Sequence, residues 1–207
     1  MVKIIEISYN RSFCRLRLDN GEEYWIRDKD LSFMGFQEGK EYSRDSFMQQ
    51  IRICQYPHAL NHAVSMLARR PCSTKEILSR LLRLRYAEDV CHLVLYKLEK
   101  EKLLDDEAFC EQWIRFRLGQ KIGYSRIKRE LKFKGIKDDM IAVSFNQLDQ
   151  ETALNNAVLL AGKAWKRFGT TGDIRKNRQK VIASLVRKGY DWDTARSACE
   201  AAENNAE

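Results

Sequence analysis

The chain has 207 residues, 44% of them hydrophobic and 32% charged, a balance that suits a soluble folded protein and excludes a disordered one. Thirty-seven basic residues against 29 acidic ones leave a formal charge of +8, which invites a polyanionic partner without identifying it. No apolar run approaches a membrane span. The first nine residues alternate and carry charge, unlike the apolar core of a secretory signal, so a cytoplasmic protein is expected.

Residues 4–9, 12–18 and 22–27 are rich in β-branched and aromatic side chains. Asn20-Gly21 is a strong hairpin signal, because both residues tolerate positive φ, and Asn10-Arg11 is a second turn. Residues 43–53 predict a short helix, capped by Ser43, with Phe47, Ile51 and Met48 inward. Residues 1–54 are therefore expected to form a small β-rich segment of about three strands and one helix.

From residue 58 onward the period becomes helical, and the chain repeats itself. An apolar triplet recurs: Ile77, Leu81, Tyr86; then Ile127, Leu131, Ile136; then Val181, Leu185, Tyr190. Gly135 and Gly189 precede the last member of two triplets, as suits a left-handed helix end. The acidic residues that follow, Glu88-Asp89, Asp138-Asp139 and Asp191, are placed to cap the next helix and meet its dipole. Three units of three helices are expected, over residues 58–104, 105–149 and 150–204. Their first helices should turn inward Ala59, Ala63, Met66 and Leu67; Phe109, Trp113 and Phe116; and Ala153, Ala157, Leu160 and Ala164. Ser73-Thr-Lys-Glu76 is a capping box, and residues 90–98 are apolar nearly all round, which calls for neighbours on several sides.

No phosphate loop, GxSxG, HExxH or dinucleotide fingerprint occurs. Cys14, Cys54, Cys72, Cys91, Cys110 and Cys199 lack CxxC spacing and read as reduced, buried thiols. Cys54, His58 and His62 are spaced by four, but Pro57 is expected to break their helix and no fourth ligand is in sight, so no metal site is assigned. Asp105-Asp106 is better explained as a helix cap than as a catalytic pair. No catalytic residue or cofactor is assigned.

Basic charge is more informative. Between Cys110 and Lys137 lie Arg115, Arg117, Lys121, Arg126, Lys128, Arg129, Lys132, Lys134 and Lys137, opposed only by Glu111 and Glu130, for a net +7. With Ile127 and Leu131 inward, Lys128, Arg129 and Lys132 should project outward, flanked by Arg126. Such a face is often merely solvated, but a face this free of carboxylates favours phosphates or an acidic protein surface. Arg69, Arg70, Arg80, Arg83 and Arg85 could extend it. Phosphate contacts carry no sequence information, so no base-specific reading is expected.

The segment Leu103-Leu104-Asp105-Asp106, with Phe109, Trp113, Arg117, Ile127, Glu130-Leu131 and Lys134-Gly135-Ile136, resembles the central repeat of the RecX family. Residues 63–70 and 73–86 resemble its first repeat, with Ile77 in place of a leucine and Leu84-Arg85-Tyr86 in place of a Lys-Gly-Tyr ending. Lys188-Gly189-Tyr190 matches the third repeat. The resemblance spans residues 58–200, and the β-rich segment resembles the extra N-terminal part of some longer members. It implies a mainly α protein, three tandem three-helix repeats in an elongated curved array, with no catalytic role. It further implies a partner, the RecA filament on single-stranded DNA, whose growth, ATPase, strand exchange and coprotease activity such proteins restrain. The basic face would then meet RecA or DNA phosphates. A RecA-independent DNA-binding helical module is the alternative. A monomer without membrane attachment is expected, since stacked repeats cover one another's apolar faces.

Overall fold

A computed structural model describes residues 1–146, 150–168 and 173–204. The chain forms two compact units, Met1–Asp105 and Asp106–Glu207.

In the first unit, strands β1 (Val2–Asn10), β2 (Phe13–Leu18) and β3 (Glu23–Arg27) form an antiparallel meander. Its two turns use left-handed residues where the sequence signals lie, Arg11 (φ 55°) and Gly21 (φ 85°). Two further elements were not expected. Helix α1 (Asp28–Met34) has Asp28 and Asp30 in its first turn and stops at left-handed Gly35. Strand β4 (Glu41–Tyr42) pairs with the free edge of β1, giving the order β3-β2-β1-β4. Two residues are too few to show an alternating pattern.

Helix α2 (Arg44–Leu67) begins as expected, with the Ser43 hydroxyl accepting from the Ser46 N–H at 3.2 Å. The break expected at Pro57 does not occur, and one 24-residue helix joins the sheet to the first repeat. Pro57 cannot donate to the carbonyl of Ile53, but both residues lie on the exposed side, where water can satisfy that oxygen. Phe47, Ile51 and Cys54 before the proline bury against Ile4, Leu16, Leu18 and Ile26 of the sheet, while Ala59 and Ala63 after it bury in the repeat. Buried Gln55 joins the two layers. Its amide donates to the Trp25 carbonyl at 2.7 Å, and its oxygen accepts from the Ala87 N–H at 2.7 Å. Cys54, His58 and His62 take separate partners: Cys54 lies in the sheet core, His58 Nε2 is 3.6 Å from Asp30, and His62 Nδ1 is 2.7 Å from the Tyr86 hydroxyl.

Helices α3 (Thr74–Arg83) and α4 (Glu88–Lys100) complete the first trio. The Ser73–Glu76 capping box forms, each N–H to side-chain bond being 3.2 Å. Val90, Cys91, Val94, Leu95 and Leu98 bury one broad face of α4, but Leu93 and Tyr96 stay exposed, so the helix is covered on fewer sides than its composition suggests. The second unit holds two more trios: α5 (Asp106–Gly119), α6 (Tyr124–Phe133) and α7 (Asp138–Asn146), then α8 (Gln150–Phe168), α9 (Ile174–Lys188) and α10 (Trp192–Asn204). In α5 the buried stripe is Phe109, Cys110, Ile114 and Leu118, whereas Phe116, expected inside, is exposed.

The middle helix of every trio ends alike. The N–H of Tyr86, Ile136 and Tyr190 bonds back to Leu81, Leu131 and Leu185, at 3.3, 3.0 and 3.2 Å, the six-to-one bond of a Schellman end. The preceding residue is left-handed each time: Arg85 at φ 67°, Gly135 at 90° and Gly189 at 98°. Arginine thus fills the role of the missing glycine in the first trio, at a conformational cost of about 1 kcal/mol. The acidic residues beyond these ends act differently. Asp191 caps α10, accepting from the Thr194 N–H at 2.8 Å. Asp89 pairs with Arg52, and Asp138 with Lys128 and Lys132.

Repeats two and three are joined backbone to backbone. The N–H groups of Gly123 and Ser125, at the start of α6, donate to the carbonyls of Lys188 and Gly189, at the end of α9, at 3.0 and 2.9 Å. A Cβ on Gly123 would lie 2.3 Å from the Gly189 carbonyl carbon, and one on Gly189 would lie 2.4 Å from Arg126 Cβ. Only two glycines allow this approach. It sets the negative end of one helix dipole on the positive end of the other. All six cysteines are free and buried. No helix of the described residues is long and apolar enough to cross a membrane.

Candidate functional site

Helix α6 positions four of the basic residues singled out above, Arg126, Lys128, Arg129 and Lys132. Ile127 and Leu131 are fully buried and fix its orientation. The remaining side chains divide into two faces. Arg126, Arg129, Glu130 and Phe133, spaced i, i+3, i+4 and i+7, form one stripe. Lys128 and Lys132 form another and reach Asp138 at 3.4 and 2.8 Å. Hydrogen bonding by Lys132, with Lys128 beside it, holds the Asp138 carboxyl below its ordinary pKa. The single outward face expected from the sequence is therefore two, and the lysine face is already partly neutralised.

The arginine stripe borders a shallow cleft of about 420 Å³ lined by Trp113, Arg126, Arg129, Glu130, Phe133 and Lys134. Its floor is an ordered cluster. Arg117 grips Glu130 with two bonds, Nε at 2.7 Å and Nη2 at 2.5 Å, and the Trp113 Nε1–H donates to the same carboxylate at 3.3 Å. Burial raises the Glu130 pKa, but the Arg117 bonds and charge, aided by Arg126 and Trp113, outweigh it and hold the group ionised below the usual range. The Lys134 ammonium sits 4.2 Å from the Trp113 ring centroid, a cation–π contact. Arg117 is thus a half-buried structural residue whose charge is spent on Glu130. Arg126 also pairs with Glu130, at 3.3 Å, but its side chain remains exposed. Arg129 is exposed and, among the described residues, has no carboxylate within ion-pair distance. Phe133, 83% exposed, stands beside them.

The other expected residues are scattered. Arg115 is exposed on α5 and pairs with Glu111 at 3.2 Å. Lys121 is left-handed (φ 58°) in the α5–α6 turn, and Lys137 is exposed just before α7. Arg69 and Arg70 belong to the first unit, at the end of α2, where Arg70 is engaged by Glu76 at 3.2 Å and by the Pro71 carbonyl at 2.9 Å.

One basic surface was missed altogether. Helix α9 carries Arg175, Lys176, Arg178, Lys180, Arg187 and Lys188 and no acidic residue. Arg178 pairs with Glu203 at 2.7 Å. Lys176, Lys180 and Arg187 line a second cleft of about 500 Å³ with Phe168, Gln179 and Ala183. All three cations are exposed, and none has a carboxylate partner among the described residues. The absence of Asp and Glu from 15 consecutive residues was readable in the sequence. It was overshadowed by the denser run in the second repeat. The arrangement offers cations and one exposed aromatic ring, Phe133, for a polyanion, and among the described residues no group of three or more His, Cys, Asp or Glu that could hold a metal ion.

Two family models match, described as the second and third three-helix domains of RecX, over residues 105–143 and 150–199. The regulatory protein RecX of Prosthecochloris aestuarii is 32% identical over 143 residues, spanning 69% of this chain and 91% of that protein. That of Enterococcus faecalis is 30% identical over 196 residues, 92% of this chain and 72% of that one. Two crystal structures share the fold: a regulatory protein RecX (TM-score 0.66, 22% identity, covering 99% of this chain and 100% of that one) and RecX from Lactobacillus salivarius (TM-score 0.67, 23% identity, covering 72% and 97%). The domain models fall on the two trios that the Gly123–Gly189 contact joins, and the relatives are matched over most of their length; the chain belongs to the RecX family.

Proposed function

We propose that this chain is a non-catalytic regulator that binds the RecA filament on single-stranded DNA and lowers its ATPase, strand-exchange and coprotease activity. The arginine face of α6 makes the contact in this reading. The observation that carries it is the exposed pair Arg126 and Arg129 beside Phe133, on a helix whose opposite side is locked into the core. Modular repeats suit a helical filament, because each added contact raises the effective concentration of the next.

Two variants separate the faces. R126E/R129E should weaken inhibition of RecA ATPase while the helical content stays unchanged. K128A/K132A, which removes cations already engaged by Asp138, should inhibit nearly as well as the natural protein. Full inhibition by a folded R126E/R129E protein would remove the arginine face from the contact. Tight, steeply salt-dependent DNA binding without any effect on RecA would point instead to a RecA-independent nucleic-acid-binding module.

A further inference from the structure

We infer that α9 carries a second phosphate-binding surface, continuous with the arginine face of α6, and that the two together form one track for the backbone of a single nucleic-acid strand. The inference rests on the reading that the α6 face meets a polyanion, and it assigns that polyanion as DNA phosphate.

Lys176, Lys180, Ala183 and Arg187 are spaced i, i+4, i+7 and i+11, so they share one face of α9. That face runs about 16 Å from Lys176 to Arg187 at 1.5 Å per residue. All three cations are exposed, and no carboxylate among the described residues engages them. Small Ala183 between them leaves room for a backbone to come close. Arg187 lies in the last turn of α9, which is the turn whose carbonyls accept the Gly123 and Ser125 N–H groups. Arg126 lies in the first turn of α6, packed against Gly189 so closely that a Cβ there would meet its own at 2.4 Å. The end of one cation-bearing helix therefore lies against the start of the other, with Lys176, Lys180 and Arg187 on α9 and Arg126 and Arg129 on α6. An acidic protein surface would need matching carboxylates along both helices, whereas a nucleic-acid strand supplies charge at every residue. Exposed Phe133 flanks the α6 cleft, as suits an unpaired base, and Phe168, partly buried against the core of the third repeat, edges the α9 cleft.

The test is equilibrium binding of the full chain to a fluorescent dT oligonucleotide across a salt series. Three proteins are compared: the natural chain, K176Q/K180Q/R187Q, and a control losing the same charge in the first unit, K29Q/K97Q/K100Q. Each phosphate contact contributes about −0.7 to the slope of log K against log salt on single strands, so losing three should flatten the slope by about 2. The matching loss of affinity near 0.1 M salt is on the order of a hundredfold. The control should keep the natural slope. An α9 variant with the natural slope and affinity would overturn the track while leaving the RecA reading intact. No DNA binding by a natural chain that still inhibits RecA would also overturn it, and would assign the α6 contact to protein. The expected slopes without any effect on RecA would support the track and sink the filament reading instead.

Discussion

Replacing Gly123 with alanine should destabilise the second unit by about 2–3 kcal/mol, although alanine suits the local backbone. Gly123 is extended (φ −79°, ψ 160°), a conformation open to any residue, and conformational entropy alone would make the change favourable by about 0.5–1 kcal/mol. The new methyl group, however, would lie 2.3 Å from the Gly189 carbonyl carbon and from the Tyr190 nitrogen. These are backbone atoms and cannot rotate away, so the start of α6 must part from the end of α9. Two backbone bonds are then lost, worth about 1 kcal/mol each. Tyr190 and Ile122, both buried at this contact, lose part of their burial, which adds about 1–2 kcal/mol. For a unit of this size the net loss lowers Tm by about 10 °C. Thermal melts followed by circular dichroism give the magnitude, and amide exchange at Ser125 reports the broken junction. Gly119→Ala is the companion control, since a Cβ there meets nothing within 4 Å; it should be neutral or slightly stabilising. Equal Tm values for the two variants would refute the argument that close backbone approach, rather than helix propensity, selects glycine at residue 123.

Arg85→Gly should stabilise the first unit by about 1 kcal/mol, seen as a higher urea midpoint, because it relieves a left-handed arginine at φ 67°. Glu22 is held at a pKa of about 2 chiefly by its hydrogen bonds from Arg44, against the opposing effect of burial. A carboxyl with a depressed folded-state pKa stabilises fully above its unfolded value, and that contribution is lost as pH falls from about 4.5 toward 2. Glu22→Gln should therefore flatten the acid limb of the stability curve in that window, measured by urea unfolding at stepped pH. Phe133→Ala should weaken single-strand binding by about tenfold through lost stacking, yet leave the salt slope unchanged, because no charge is removed.

Much of the fold was legible because it follows from period and punctuation. The triplet from Ile127 to Ile136 states both the inward face of a helix and its left-handed end, and Asn20-Gly21 states a turn. Other features depend on partners distant in sequence. Pro57 reads as a break until the sheet and the repeat are seen to hold α2 on both sides of it. Gly123 reads as a loop glycine until Gly189 is found against it. The basic run in the second repeat was visible as composition, but its division was not. Whether Arg117 faces solvent or Glu130 depends on how α5 packs on α6, which also turned Phe116 outward. The α9 face could have been found by asking where acidic residues are missing rather than where basic ones are dense.

The central claim is that this RecX-family chain acts on the RecA filament rather than on bare DNA. RecA ATPase on single-stranded DNA, with the protein titrated from far below stoichiometric amounts and DNA binding measured in the same salt, tests it most directly. The account predicts inhibition at amounts too low to cover the DNA. Undiminished ATPase in the presence of a folded, DNA-binding protein would contradict it.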